Sequence, residues 1–123
     1  MGVEFVDWDA QFERITLRFT APDSFRTPRG FVQGGLVAGF LDEAMGWAHV
    51  WATDRKEAPL NLDIALTLLR PVPIGPLTGT GRVIQRGRRV TYLEGELFGP
   101  DGDLLARATS SAATTPVPQG GAS

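Results

Sequence analysis

At 123 residues the chain is the size of one domain and long enough to bury a core. Hydrophobic residues make up 42% and charged residues 21%, and the net charge of −2 offers no general attraction for nucleic acid or an anionic membrane. The absence of cysteine and the single histidine, His49, exclude disulfides, thiolate zinc sites, cysteine nucleophiles and any metal site built on several imidazoles.

Residues 3–20 read as two short strands with a turn near Asp9–Gln11, because Ile15, Leu17 and Phe19 alternate with Arg14, Thr16 and Arg18. The opening MGVEFVDWDAQFE has neither a basic n-region nor an apolar h-region, so a cytoplasmic location is expected. A loop rich in proline and glycine, APDSFRTPRGFVQGG, leads into the longest apolar stretch, LVAGFLDEAMGWAHVWA. That length suits a helix, and apolar residues fall on nearly every side of it, as in a buried helix. Asp42 and Glu43 near its midpoint argue against a membrane span.

Beyond Thr53–Pro59 the pattern turns to period two. Leu60, Leu62, Ile64, Leu66 and Leu68 mark one face of a long strand, closed by Pro71 and Pro73. Further strands are expected near 77–86, 89–98 and 103–114, with RGRR and GPDGD in the turns. The polar end, TPVPQGGAS, reads as a tail from residue 116. Short connections after the helix imply antiparallel pairing, and one helix on such a sheet is an α+β design. Because the helix is apolar all round, a second subunit is expected to complete its cover.

There is no G-x-S-x-G elbow, so any hydrolytic chemistry falls to a carboxylate. On a helix Asp42 shares its face with Ala38, Gly39, Met45 and Gly46, small enough neighbours to leave room for a substrate beside a partly buried acid. The plainer alternative makes Asp42 and Glu43 the wet edge of the helix. Glu43 faces the bulkier side, with Phe40 and Trp47, where pairing with an arginine is expected. Trp47 and Trp51 suit a core, an acyl pocket or both. His49 reads as a buried or interface histidine.

The run GFVQGGLVAGFLDEA, followed by LRPVPIGPLTGTGRVIQRGRR and GDLLARATSS, resembles the PaaI-like and 4-hydroxybenzoyl-CoA thioesterases of the hotdog superfamily. The resemblance spans roughly residues 27–115. It implies a single hotdog domain over 1–115, with an antiparallel sheet of five to six strands wrapped around one long central helix. It also implies hydrolysis of acyl-CoA thioesters at a homodimer interface, with a tetramer as the larger assembly expected. No metal or separate cofactor is expected, since coenzyme A belongs to the substrate, and neither nucleic acid nor membrane is an expected partner. The family's His-Gly-Gly turn is filled here by Gln33, Gly34 and Gly35, and its acid by Asp42, nine positions after Gln33.

Carried over residue by residue, the resemblance makes Asp42 the nucleophile or general base and the Gly34 backbone N–H the oxyanion donor. Gly35 lets substrate approach the turn. Asn61 lies near a second polar position of the family, although it and Asp63 can equally be surface. Thr27 stands where many relatives carry asparagine, in the substrate-binding loop. Arg86, Arg88 and Arg89 can clamp the CoA phosphates or simply solvate a hairpin turn. Two other functions share the fold: an acyl-thioester dehydratase or hydratase, which usually needs a histidine, and a non-catalytic acyl-CoA-binding module.

Overall fold

The computed structural model describes residues 2–116; the expected tail lies almost wholly outside them. Two strands, β1 (Gly2–Asp9) and β2 (Arg14–Ala21), precede a short 3-10 turn at Asp23–Phe25 and one helix, α1 (Gly34–Ala52). Four strands follow: β3 (Glu57–Leu68), β4 (Gly75–Arg86), β5 (Val90–Phe98) and β6 (Leu104–Pro116). All pair antiparallel in one six-stranded sheet of order β1-β2-β4-β5-β6-β3. The expected α+β architecture is therefore present, with β1 and β3 at the two edges.

Glycine-containing α1 is a weak helix by propensity and depends on tertiary burial. Val37, Phe40, Leu41, Ala44, Met45, Ala48 and His49 are buried, and Ile15, Phe19, Leu77, Leu93, Leu97, Ala108 and Ala112 of the sheet join them in the core. Two sheet glycines let the helix sit this close: a Cβ on Gly81 would clash with the backbone of Ala44, and one on Gly95 would press Met45 and Leu41 at 3.1 and 3.2 Å. At the far end Thr53 Oγ1 donates to the His49 carbonyl at 3.1 Å, and Asp54 and Arg55 take left-handed backbone angles that reverse the chain into β3.

The helix is not covered all round. Its outer face leaves Trp47 43% exposed, and Leu60, Leu62 and Leu68 on the β3 edge are each more than half exposed.

The alternation expected along β3 breaks once. Asn61 pairs with Ala112 and Asp63 with Ser111, so Leu62 is an extra residue in a bulge. Ile64, Leu66 and Leu68 then pair with Ser110, Ala108 and Ala106, whose buried side chains face the helix. The bulge therefore puts Asn61 on the same face as Ile64, while Leu60 falls on the other, opposite Ala113. The single leucine face of the sequence is corrected by this one insertion, which also puts Asn61 and Asp63 on opposite faces.

Candidate active site

Two i, i+4, i+8 rows of α1 face outward side by side. Asp42, Gly46 and Val50 point toward β3, and Glu43, Trp47 and Trp51 toward β1 and β2. A hollow of about 340 Å³ lies over the first row and is closed by Pro59, Leu60 and Asn61 of β3. Asp42 is exposed on its rim, where partial burial was expected. The sheet covers only the opposite side of the helix, so a single chain leaves this carboxylate in solvent.

Asn61 Nδ2 donates to Asp42 Oδ1, joining β3 to the helix. Ser110, buried at 3% exposure, has its Oγ 2.8 Å from the Asp63 carbonyl it donates to and 3.4 Å from Asn61 Oδ1. That hydroxyl has one proton, which lies on the Asp63 carbonyl, so the amide orientation rests on the bond from Asn61 Nδ2 to Asp42. The bulge is fastened on its other side by Asp63 Oδ1, which accepts from the Ser111 backbone N–H and hydroxyl, both at 2.8 Å. Those two bonds hold the Asp63 carboxyl below its ordinary value, against a smaller opposing effect of desolvation. Ser110 was missed at the level of sequence, because only the bulge brings a β6 hydroxyl behind Asn61.

The Gln33-Gly34-Gly35 turn opens α1 as expected. Leu36 and Val37 N–H groups close onto the Gln33 carbonyl at 2.9 and 3.1 Å, and Gln33 has no capping side-chain bond. Gly34 and Gly35 N–H groups have no partner within the helix, the usual condition of a helix start. Leu68 Cδ1 lies 3.3 Å from where a Gly34 Cβ would be, and Gln33 Oε1 lies 3.3 Å from the equivalent point on Gly35. Thr27, half-buried, holds the preceding loop through its backbone: its N–H donates to Phe31 O and its carbonyl accepts from Gly30 N, each at 2.8 Å.

Gly34 and Asp42 do not meet within one chain. Eight residues of α-helix separate them by about 12 Å along the axis. The arginines are farther still. Arg86 is bound to the C-terminal end of α1, donating to the Ala52 carbonyl at 3.0 Å and pairing with Glu13 at 3.4 Å. Arg88 and Arg89 are exposed in the β4–β5 turn and line an open hollow there.

Glu43 pairs with no arginine among the described residues; its Oε1 accepts from Trp47 Nε1 at 3.1 Å. His49 is fully buried, and neither ring nitrogen has a hydrogen-bond partner among the described residues. Burial lowers its pKa, with Glu57 opposing and Arg86 adding to the effect. His49 lines neither of the hollows beside the outward rows of α1. No cluster of metal-ligating side chains occurs among the described residues, and no helix there is long and apolar enough to cross a membrane.

Residues 29–106 match the model of the thioesterase superfamily. A phenylacetic acid degradation-related protein of Ralstonia eutropha JMP134 is 31% identical, with a TM-score of 0.85 over 91% of this chain and 84% of that one. The PaaI protein of the E. coli phenylacetic acid degradation operon shares the fold at 18% identity, with a TM-score of 0.81 over 91% of this chain and 82% of its own. So does a Streptococcus mutans UA159 protein bound to acetyl CoA, at 17% identity and a TM-score of 0.83, covering 97% and 93% of the two chains.

Proposed function

Since this chain belongs to the thioesterase superfamily, we propose that it hydrolyses acyl-CoA thioesters, with Asp42 as nucleophile or general base. The observation that carries the reading is the Asp42–Asn61 pair at the edge of a substrate-sized hollow. A carboxylate held in one orientation beside space for a ligand is the minimum a histidine-free hydrolysis requires. The coenzyme is inferred from the structural relative that holds acetyl CoA.

As general base, Asp42 takes a proton from water as the water oxygen bonds the carbonyl carbon. The C–S bond then breaks, and the CoA thiolate leaves and is protonated. As nucleophile, Asp42 bonds the carbonyl carbon itself, the C–S bond breaks with CoA leaving as the thiolate, and water hydrolyses the resulting anhydride. Either route develops negative charge on the carbonyl oxygen, and the N–H of Gly34 at a helix N-terminus is suited to meet it. The distance along α1 divides the labour: Asp42 and Asn61 come from one copy, and Gln33, Gly34 and Gly35 from a second. This makes the working unit a homodimer, or a tetramer built from such pairs. The uncovered helix face and the exposed β3 leucines supply apolar surface for that pairing. Thr27 and Gly35 border the thioester, while Arg88 and Arg89 reach the CoA phosphates. Arg86, already engaged at Ala52 and Glu13, plays the smaller part.

The test is thiol release from a panel of aromatic and aliphatic acyl-CoAs by wild type and Asp42→Asn. Loss of roughly 10²-fold or more in kcat supports the assignment. Turnover that survives the change moves the chemistry away from Asp42. Binding of CoA without turnover on any substrate leaves a non-catalytic acyl-CoA-binding module.

A further inference from the structure

On the other side of the Glu43–Trp47 row lies a second hollow, of about 320 Å³. Its floor is Ile15 and Leu17 of β2, both buried, and its walls are Trp51, Val3 and Phe5. Phe5 stacks on Trp51 with ring centroids 5.2 Å apart and planes 22° from parallel. Apart from Glu43 at its mouth, every one of these linings is apolar.

Glu43 and Trp47 border both hollows, and the indole N–H of Trp47 is bonded to Glu43. We infer that the aromatic hollow receives the acyl part of the substrate, an uncharged ring or short-to-medium alkyl chain that crosses Trp47 from the Asp42 side. The inference rests on the thioester reading above for the identity of its occupant. What favours an acyl group is the wall, Glu43 and Trp47, that this slot shares with the space beside Asp42. Its volume, at the lower end of the roughly 300–1,000 Å³ of ligand pockets, suits a small group. Asp42 and Glu43 stand together at the crossing, so an acyl chain ending in a carboxylate would meet two like charges and an apolar floor.

Burial of each methylene in such a slot raises kcat/KM by about fourfold until the space is full. The experiment uses Val3→Trp, which fills the slot from the exposed edge strand, and Phe5→Ala, which opens its wall. Acetyl-, hexanoyl-, benzoyl- and adipoyl-CoA are compared, reading thiol release and quenching of tryptophan fluorescence. The expected result is a hexanoyl-over-acetyl ratio of kcat/KM that falls tenfold or more in Val3→Trp. Fluorescence should respond to hexanoyl- and benzoyl-CoA but weakly to adipoyl- and acetyl-CoA. Fluorescence that responds in this way, and is lost in both variants, keeps the slot even where no thioester is cleaved; that outcome defeats only the hydrolase reading. An unchanged ratio and unchanged quenching in both variants overturn the inference. So does dissociation of an oligomer by Val3→Trp with substrate preference intact, which would show that a second copy fills the slot.

Discussion

Asn61 and Asp42, nineteen positions apart, meet through a single hydrogen bond from the Asn61 amide to Asp42 Oδ1, and it ties an edge strand to an otherwise exposed helical carboxylate. A bond to a charged acceptor contributes about 1.5–3 kcal/mol. Asn61→Ala should therefore lower kcat/KM for thioester hydrolysis by about ten- to a hundredfold. Asn61→Asp is the sharper variant. It sets a second carboxylate beside Asp42, and two like charges so close resist joint ionisation. The acid limb of the pH–rate profile should move to higher pH. A profile identical to wild type would place the chemistry elsewhere.

How far the sequence foretold this arrangement depends on the kind of information required. Strand and helix limits follow from periodicity, which is local: α1 and all six strands lie within a few residues of expectation. The Asp42–Asn61 contact depends on the bulge at Leu62, and nothing in the even run of leucines marks an inserted residue. Strict alternation therefore assigns Asn61 to the wrong face. Ser110 is invisible for the same reason, since its role exists only once β6 lies beside the bulged strand. The exposure of Asp42 matches the wet-edge alternative, which an apolar pattern on nearly every side of the helix does not single out. The contacts of Arg86 with Ala52 and Glu13 are tertiary, and no local pattern encodes them.

Gly81 tests how tightly the helix is seated. A methyl group there would collide with the Ala44 backbone and lie 2.9 Å from the Met45 nitrogen, and backbone cannot turn aside as a side-chain tip can. Gly81→Ala should cost about 3 kcal/mol, the upper end of ordinary overpacking. Urea unfolding should show a lower midpoint with the slope retained. An unaltered midpoint would mean that α1 rides higher on the sheet than the structure has it.

His49 gives the fold a pH dependence of predictable sign. Burial lowers its pKa in the folded chain, so the unfolded chain, titrating near the ordinary value of about 6.5, takes up protons first as pH falls. Its contribution is complete above about pH 7 and declines below about pH 6.5, by at most about 1.4 kcal/mol per pH unit. His49→Leu removes two buried nitrogens without partners and should match or exceed wild-type stability at pH 7.5. Across pH 7.5 to 5.5 its urea midpoint should stay flatter than that of wild type. An equal slope in both proteins would assign the pH dependence to other groups.

The proposed division of the site between two copies yields the most discriminating experiment. Gly34 is the first residue of α1, and the Gln33 backbone before it is extended at φ −65°, ψ 142°. Proline is favoured at that first position and accepts an extended predecessor, so Gly34→Pro should fold while deleting only the N–H proposed to hold the oxyanion. The added ring presses on the tip of Leu68, a flexible side chain. Alone, Gly34→Pro and Asp42→Asn should each be nearly inactive. Unfolded together and refolded as a mixture, they form heterodimers in which one of the two shared sites has both Asp42 and Gly34 intact. Random pairing then restores about a quarter of wild-type activity per chain. A site contained within one chain would restore none, because every chain in the mixture carries a defect. Recovery thus separates a shared site from a self-contained one without any assumption about the acyl group.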